Sequence, residues 1–239
     1  MCAKQLSPTI ICDVHLWKYC INNNDNDISK SVELLSKEEI LRIKRLPSEE
    51  DRSRLARVRI FVRDILARYT HLPPQEIQFI SNTYQRPLIR TRHSHPPIYF
   101  NLSHRKDYAL LAISNVSHLG VDIEEIKDIE KMAPFVSDYF SPPEKKRIFA
   151  EKKRADRLSL LFTIWTMKEA LFKSLATGFT RQMNRYDLSP FLRNPYTIPH
   201  FDNQNVWHIR KLAVAKNHKA AIAVRADQVN LQVFEYGKC

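Results

Sequence analysis

Glycine is scarce in this chain: three residues in 239, at Gly120, Gly178 and Gly237. A phosphate-cradling loop needs several glycines within a few positions, so neither a Rossmann fingerprint nor a Walker loop fits. Any phosphate must be held by side chains, a metal ion or helix ends. Cysteine is nearly as sparse. Cys2, Cys12, Cys20 and Cys239 form no Cys-x-x-Cys pair and no zinc-site spacing, so free thiols in a reducing cytosol are expected. No apolar run is long enough to span a bilayer, and the first residues lack the apolar stretch of a signal peptide. The expectation is a cytoplasmic protein without a membrane partner. Acidic residues are outnumbered, 26 against 38 Lys and Arg, which leaves a formal charge of +12. That excess implies an acidic partner: nucleic acid, a membrane surface, a polyphosphate or an acidic protein. Hydrophobic residues make up 44%, enough for a packed core and too many for disorder.

The most informative stretch is Gly120-Val121-Asp122-Ile123-Glu124-Glu125. In a strand, successive side chains point to opposite faces. Val121 and Ile123 then face a core, and Asp122 and Glu124 lie side by side on the other face. Two carboxylates about 4 Å apart repel by about 4 kcal/mol at an effective dielectric near 20. They call for solvent, a shared proton or a cation, and Mg²⁺ suits such oxygen clusters. A plain wet strand face carries the same pattern. A second stretch, Phe162 to Lys173, has helical spacing, with Trp165, Glu169 and Lys173 four apart on one face. An acid and a base beside a tryptophan make sense near a metal and a phosphate.

Helices and strands alternate in blocks. Residues 10–19 read as a strand. Ser36 and Glu39 have capping-box spacing and predict a short helix to about Leu46. Ser48 opens a longer helix with an apolar stripe at Leu55, Val58, Phe61, Val62, Ile65, Leu66 and Tyr69. Its other side carries Arg52, Arg54, Arg57, Arg59, Arg63 and Arg68, a solvated face that can lend one or two guanidiniums to phosphate. Leu72-Pro73-Pro74 stops it. Short strands follow at 77–80, 98–102, 108–116 and 119–123. Ser141-Pro142-Pro143-Glu144 starts a second helical block, and the Trp165 helix runs toward Gly178 as a left-handed cap. Strands at 206–215, 220–225 and 229–236 finish the chain. Helices followed by antiparallel strands occur twice, an α+β pattern that divides into residues 1–125 and 126–239.

Three segments, Phe100-Asn101-Leu102-Ser103-His104, Gly120-Val121-Asp122-Ile123-Glu124 and Trp165-Thr166-Met167-Lys168-Glu169-Ala170-Leu171-Phe172-Lys173, resemble in order and spacing the signature motifs of the 4′-phosphopantetheinyl transferases of the monomeric, surfactin-synthetase-activating type. Tyr84-Gln85-Arg86-Pro87 resembles the turn preceding the first of them, with Gln85 where many members have glycine. The likeness runs from about Leu35 to Gly178. It implies two similar α+β halves related by a pseudo-two-fold, with the active site in the cleft between them. The implied reaction moves the phosphopantetheine arm of coenzyme A onto a serine of an apo acyl or peptidyl carrier protein, with Mg²⁺, and releases adenosine 3′,5′-bisphosphate. By the same resemblance Asp122, Glu124 and Glu169 are the metal carboxylates, and Glu169 receives the serine proton directly or through water. Ser103 and His104 meet the coenzyme A phosphates, Lys168 and Lys173 the pyrophosphate, Arg86 and Pro87 the adenine, and Arg42 and Arg54 the 3′-phosphate. Some members are argued to use an acid near Glu144 in catalysis; here Glu144 also reads as the acid of its capping box.

An acidic carrier and a polyanionic cofactor both suit the +12 charge. Two rival readings remain. A nucleic-acid-binding protein using the arginine helix leaves the acids unexplained. A non-catalytic relative that senses coenzyme A has no need of the acid triad.

Overall fold

The computed structural model describes residues 11–22, 32–81, 87–90, 97–129, 132–176, 181–192, 198–199 and 206–237. Strand β1 (Ile11–Cys20) is followed by helices α1 (Lys37–Lys44) and α2 (Glu49–Thr70), then strands β2 (Phe79–Ser81), β3 (Pro87–Ile89), β4 (Tyr99–Arg105), β5 (Tyr108–Ser114) and β6 (Leu119–Glu125). Helices α3 (Met132–Tyr139), α4 (Pro142–Ala150) and α5 (Arg154–Leu175) precede strands β7 (Ile198–Pro199), β8 (Val206–Leu212), β9 (His218–Arg225) and β10 (Gln228–Tyr236). Both expected capping boxes form, at Ser36 with Glu39 and at Ser141 with Glu144. Ser48 caps α2 by accepting the Asp51 N–H at 3.0 Å. Helix α5 ends earlier than expected. Its left-handed cap residue is Ala176, at φ 55°, while Gly178 lies outside the described residues.

The strands form two four-stranded sheets, ordered β10-β1-β5-β4 and β6-β9-β8-β7, with β2 and β3 as a separate pair. Alternation along each strand explains the layering. Val14, Leu16, Leu110 and Ala112 of the first sheet face Val121, Ile123, Ile222 and Val224 of the second. Tyr19, Ala109, Leu111 and Ile113 turn the other way and pack on Val58, Phe61, Val62 and Ile65 of α2. In the second sheet Trp207, Ile209, Ala221 and Ala223 pack on Met167, Ala170 and Leu171 of α5. The result is helix, sheet, sheet, helix: an α+β fold of two halves, each a four-stranded sheet covered by a 22-residue helix.

Two expectations need correction. The sheets are not wholly antiparallel, because β10 returns to pair with β1 in parallel. A division after residue 125 does not fall between the sheets either, because β6 pairs with β9 and β10 belongs with β1. Among the described residues no helix is long and apolar enough to cross a membrane.

Candidate active site

The site lies where edge strand β4 of one sheet meets edge strand β6 of the other. No ladder joins these strands; side chains do. Asn101 Oδ1 accepts the Val121 N–H at 2.8 Å, and Ser103 Oγ accepts the Ile123 N–H at 3.3 Å. Asn101 thus bridges the two sheets. Since Val121 and Ile123 point into the inter-sheet core, Asp122 and Glu124 emerge on the face covered by α5. Asp122 is 4% exposed, which rules out a wet strand face.

Gly120 sets how closely α5 lies on that face. A Cβ there would fall inside the envelope of the Ala170 carbonyl oxygen and 2.6 Å from the Ser174 nitrogen. The close approach brings α5 against β6 with Glu169 and Lys173 on the near side, while Trp165, one turn earlier, stacks among Phe135, Tyr139 and Phe140 and anchors the helix. Lys173 Nζ donates to Asp122 Oδ1 at 2.7 Å, to Ser103 Oγ at 3.1 Å and to the Val121 carbonyl at 3.3 Å. Ser103 Oγ in turn donates to Asp122 Oδ1 at 3.0 Å. With one donor and two lone pairs, the Ser103 hydroxyl is fully engaged. It orders the acid site and has no bond left for a phosphate in this arrangement.

The electrostatics follow from this crowding. Burial, then the Asp122 charge, pushes the Glu169 carboxyl up to about 7, with Lys173 acting against them. The same two causes raise Glu124, opposed by Arg105, which lies 3.3 Å away. Asp122 Oδ2 is buried and receives no hydrogen bond. Two raised carboxyls beside Asp122, whose second oxygen is buried and unused, fit a cation. Among the described residues, however, no three His, Cys, Asp or Glu groups are gathered in metal-holding geometry. The ammonium of Lys173 lies on Asp122 instead.

His104 points away from Ser103, onto the α2 side of β4, as neighbours in a strand must. Burial pushes its imidazole down, with Arg59, Lys173, Arg54 and Arg105 adding to the effect. It therefore stands in a basic strip on the other side of β4 from the acid site. Arg54 pairs within its own helix, with Glu50 at 2.5 Å and Asp51 at 3.1 Å. Arg42, in the last turn of α1, is exposed and within electrostatic reach of Arg59. Arg59 is the residue that sequence reasoning passed over. Half-buried, it has neither a hydrogen bond nor an ion pair among the described residues, and burial works against its charge. An unpaired guanidinium between Arg42 and His104 is a place for an anion. Its only sequence signal was membership of a six-arginine helix. Another of the six, Arg63, is 2% exposed and purely structural. It pairs with Glu39 at 2.5 Å and donates to the carbonyls of Pro74 and Ile77.

Lys168 is not at the site. It is fully buried on another side of α5, where it pairs with Glu144 at 2.9 Å and donates to the carbonyls of Met183 and Tyr186 at 2.7 and 2.6 Å. All three of its protons are used. Glu144 is equally committed: it accepts the N–H groups of Ser141 at 2.7 Å and Leu188 at 2.8 Å. Burial favours the neutral form of each, and their mutual attraction opposes that. With every hydrogen bond satisfied, the ionised pair holds α4 and the following turn on α5, and neither partner can serve as base or phosphate ligand. Pro87 opens β3 opposite Ser81. Arg86 and Gln85 lie outside the described residues.

Residues 118–224 match a model of the 4′-phosphopantetheinyl transferase superfamily, and residues 22–118 match a model of the 4′-phosphopantetheinyl transferase N-terminal region. The two segments meet just before β6. Over 217 residues the chain is 24% identical to the 4′-phosphopantetheinyl transferase HetI of a Nostoc species, covering 90% of both chains. Over 188 residues it is 23% identical to the 4′-phosphopantetheinyl transferase Sfp of Bacillus subtilis, covering 79% of this chain and 81% of that one. A human L-aminoadipate-semialdehyde dehydrogenase-phosphopantetheinyl transferase is 22% identical over 183 residues, 70% of this chain and 59% of that one.

Proposed function

Because the chain belongs to the 4′-phosphopantetheinyl transferase superfamily, we propose that it carries the 4′-phosphopantetheine arm of coenzyme A to a serine of an acidic apo acyl or peptidyl carrier protein, with Mg²⁺, releasing adenosine 3′,5′-bisphosphate. The observation that carries this reading is the seam itself. Carboxylates from β6 and α5 converge on one side of it, and the basic strip of His104, Arg54 and Arg59 lies on the other.

The chemistry needs positioning and charge balance more than covalent help. The carrier serine oxygen attacks the phosphorus next to the pantetheine. A serine O–P bond forms, and the P–O bond to the bisphosphate breaks. Glu169 takes the serine proton, directly or through one water. In the metal-free chain burial and the Asp122 charge hold this carboxyl up near 7; a cation beside it would favour the ionised, proton-accepting form. Lys173 holds Asp122 in place and stands ready for the charge on the leaving bisphosphate. His104 and Arg59, with Arg42 and Arg54 beyond, hold the phosphates of coenzyme A; Pro87 borders the adenine. Asp122, Glu124 and Glu169 are the residues that would hold Mg²⁺, and Asp122 Oδ2 is the oxygen with capacity to spare. When bound, the ion neutralises the pyrophosphate and polarises the bond that breaks. Both halves of the seam come from one chain, so the protein acts as a monomer. The reaction belongs in the cytoplasm, where coenzyme A and carrier proteins meet.

The test is intact mass of an apo carrier protein incubated with the chain, coenzyme A and Mg²⁺. One added phosphopantetheine, lost with EDTA and in Glu169→Gln, supports the reading. Binding of coenzyme A without transfer to acyl, polyketide or peptidyl carriers would overturn it in favour of a non-catalytic relative.

A further inference from the structure

Beyond the acid site, the same face of the second sheet carries a second basic region that the transfer chemistry does not use. On β9, Ala221 and Ala223 pack toward α5, so Lys219, two residues before Ala221, shares that face. It is the cross-strand partner of Glu124. On β8, Lys211 shares the face of Trp207 and Ile209. Lys216 lies in the turn between them. With Thr163 of α5 these residues line an open cavity of about 370 Å³. Thr163 is six positions before Glu169, which is about 9 Å along the helix axis. Lys211 reaches only a carbonyl, that of Leu192 at 3.3 Å, and among the described residues none of the three lysines has a carboxylate partner within ion-pair distance.

We propose that this cavity is where the carrier protein docks, through an acidic segment of its surface; the inference rests on the transferase reading above. Two basic regions flank the acids, and their surroundings divide the labour. The strip of His104, Arg54 and Arg59 belongs to the other half, across the seam, and suits the compact charge of a nucleotide. Lys211 and Lys216 are open to solvent and Lys219 is half-buried on the same hairpin, and they border a cavity of mixed polar and aliphatic lining. Lysine is a strongly hydrated point charge on a flexible stem, suited to carboxylates that approach and leave. An acidic surface seated there lies about one helical turn and a half from Glu169, within reach of a serine at its edge. The arrangement lets the nucleotide enter from one side of the acids and the carrier from the other, as an in-line displacement between two large substrates requires.

The experiment uses the full chain, coenzyme A, Mg²⁺ and an apo acyl carrier protein. Lys211→Glu and Lys216→Glu, both at exposed positions, should together raise the carrier KM about tenfold. The KM for coenzyme A and kcat at saturating carrier should stay at parental values, and the dependence of carrier KM on salt should become shallower. If the double variant misfolds by circular dichroism, Lys216→Glu alone decides, since its side chain stands in an exposed turn. An unchanged carrier KM overturns the proposal. So does a parallel rise in the coenzyme A KM, which would assign the cavity to the nucleotide. If the parental chain modifies no carrier at all, the transferase reading itself fails, a result distinct from either of these.

Discussion

Asn101 and Val121 lie on different sheets, yet the side-chain oxygen of one accepts the backbone N–H of the other at 2.8 Å. The bond does the work of a missing ladder rung at the strand that carries Asp122. Asn101→Ala would leave a buried N–H without a partner, which costs about 1–3 kcal/mol. We expect that loss in urea unfolding, together with a larger fall in transfer rate than the stability loss explains, because β6 is then free to shift against Ser103 and Lys173.

Gly120 has a more severe role. Any side chain there meets the backbone of Ala170 and Ser174, which cannot rotate away as a flexible side chain could. Gly120→Ala must push α5 off β6 and part Lys173 from Asp122. We expect destabilisation of about 3 kcal/mol or more and loss of transfer even at temperatures where the chain remains folded. Gly237→Ala is the control. At φ +77° it is strained, but nothing lies within 4 Å of its Cβ, so its cost should stay near 1 kcal/mol.

Much of this was legible because the relevant periods are short. The alternation of Val121, Asp122, Ile123 and Glu124 placed the two acids on one face, and the fourfold spacing of Trp165, Glu169 and Lys173 placed the helix partners. The capping boxes were readable for the same reason: their signals lie three residues apart. Lys168 shows the limit of carrying a motif over whole. Adjacent to Glu169 in sequence, it is rotated about 100° around the helix, far enough to enter the core. Arg59 and Arg63 were indistinguishable from their neighbours because exposure along α2 depends on α1 and on residues 74–77, which no local pattern encodes. The return of β10 to β1 was equally hidden, since parallel pairing across more than two hundred residues leaves no mark in either strand.

The burial of Lys168 makes a sharp prediction. Lys168→Met leaves the Glu144 carboxylate buried without its counter-charge, and breaking such a pair costs about 3–5 kcal/mol. The double change Lys168→Met with Glu144→Gln should recover a good part of that. The KM for coenzyme A, measured on folded protein, should not change in either variant. A large rise in that KM would return Lys168 to the pyrophosphate.

His104 predicts a pH effect. Burial and the cations around it hold its imidazole below the ordinary histidine range, so it is neutral at neutral pH. Phosphates arriving beside it favour the protonated form and raise its pKa. Binding of coenzyme A should then take up a proton, and affinity should increase as pH falls from about 7 toward 6. Calorimetry in two buffers of different ionisation heat reads the proton directly. His104→Gln should abolish the uptake and weaken binding. Equal heats in both buffers for the parental chain would exclude this role.

Glu169 predicts a conflict between stability and function. A folded-state pKa near 7 lies above the ordinary carboxylate value of 4.5, so the folded chain binds more protons here than the unfolded one between those values. Stability from this group is therefore full below about pH 4.5 and lost as pH rises through 7. At pH 8, without divalent ions, the ionised carboxylate opposes folding through burial and through Asp122. Glu169→Gln removes that charge at almost constant volume. It should stabilise the metal-free chain at pH 8 by about 2 kcal/mol, after allowance for solvent screening, an increase of about 4–8 °C in Tm for a domain of this size. At pH 5 the two proteins should melt together. Added Mg²⁺ should raise the parental Tm and leave the variant nearly unmoved, since one of the three carboxylates offered to the ion is gone. A variant less stable than its parent at pH 8 would mean that Glu169 is held by favourable contacts in the folded chain, and its role as a raised, proton-accepting carboxylate would have to be abandoned.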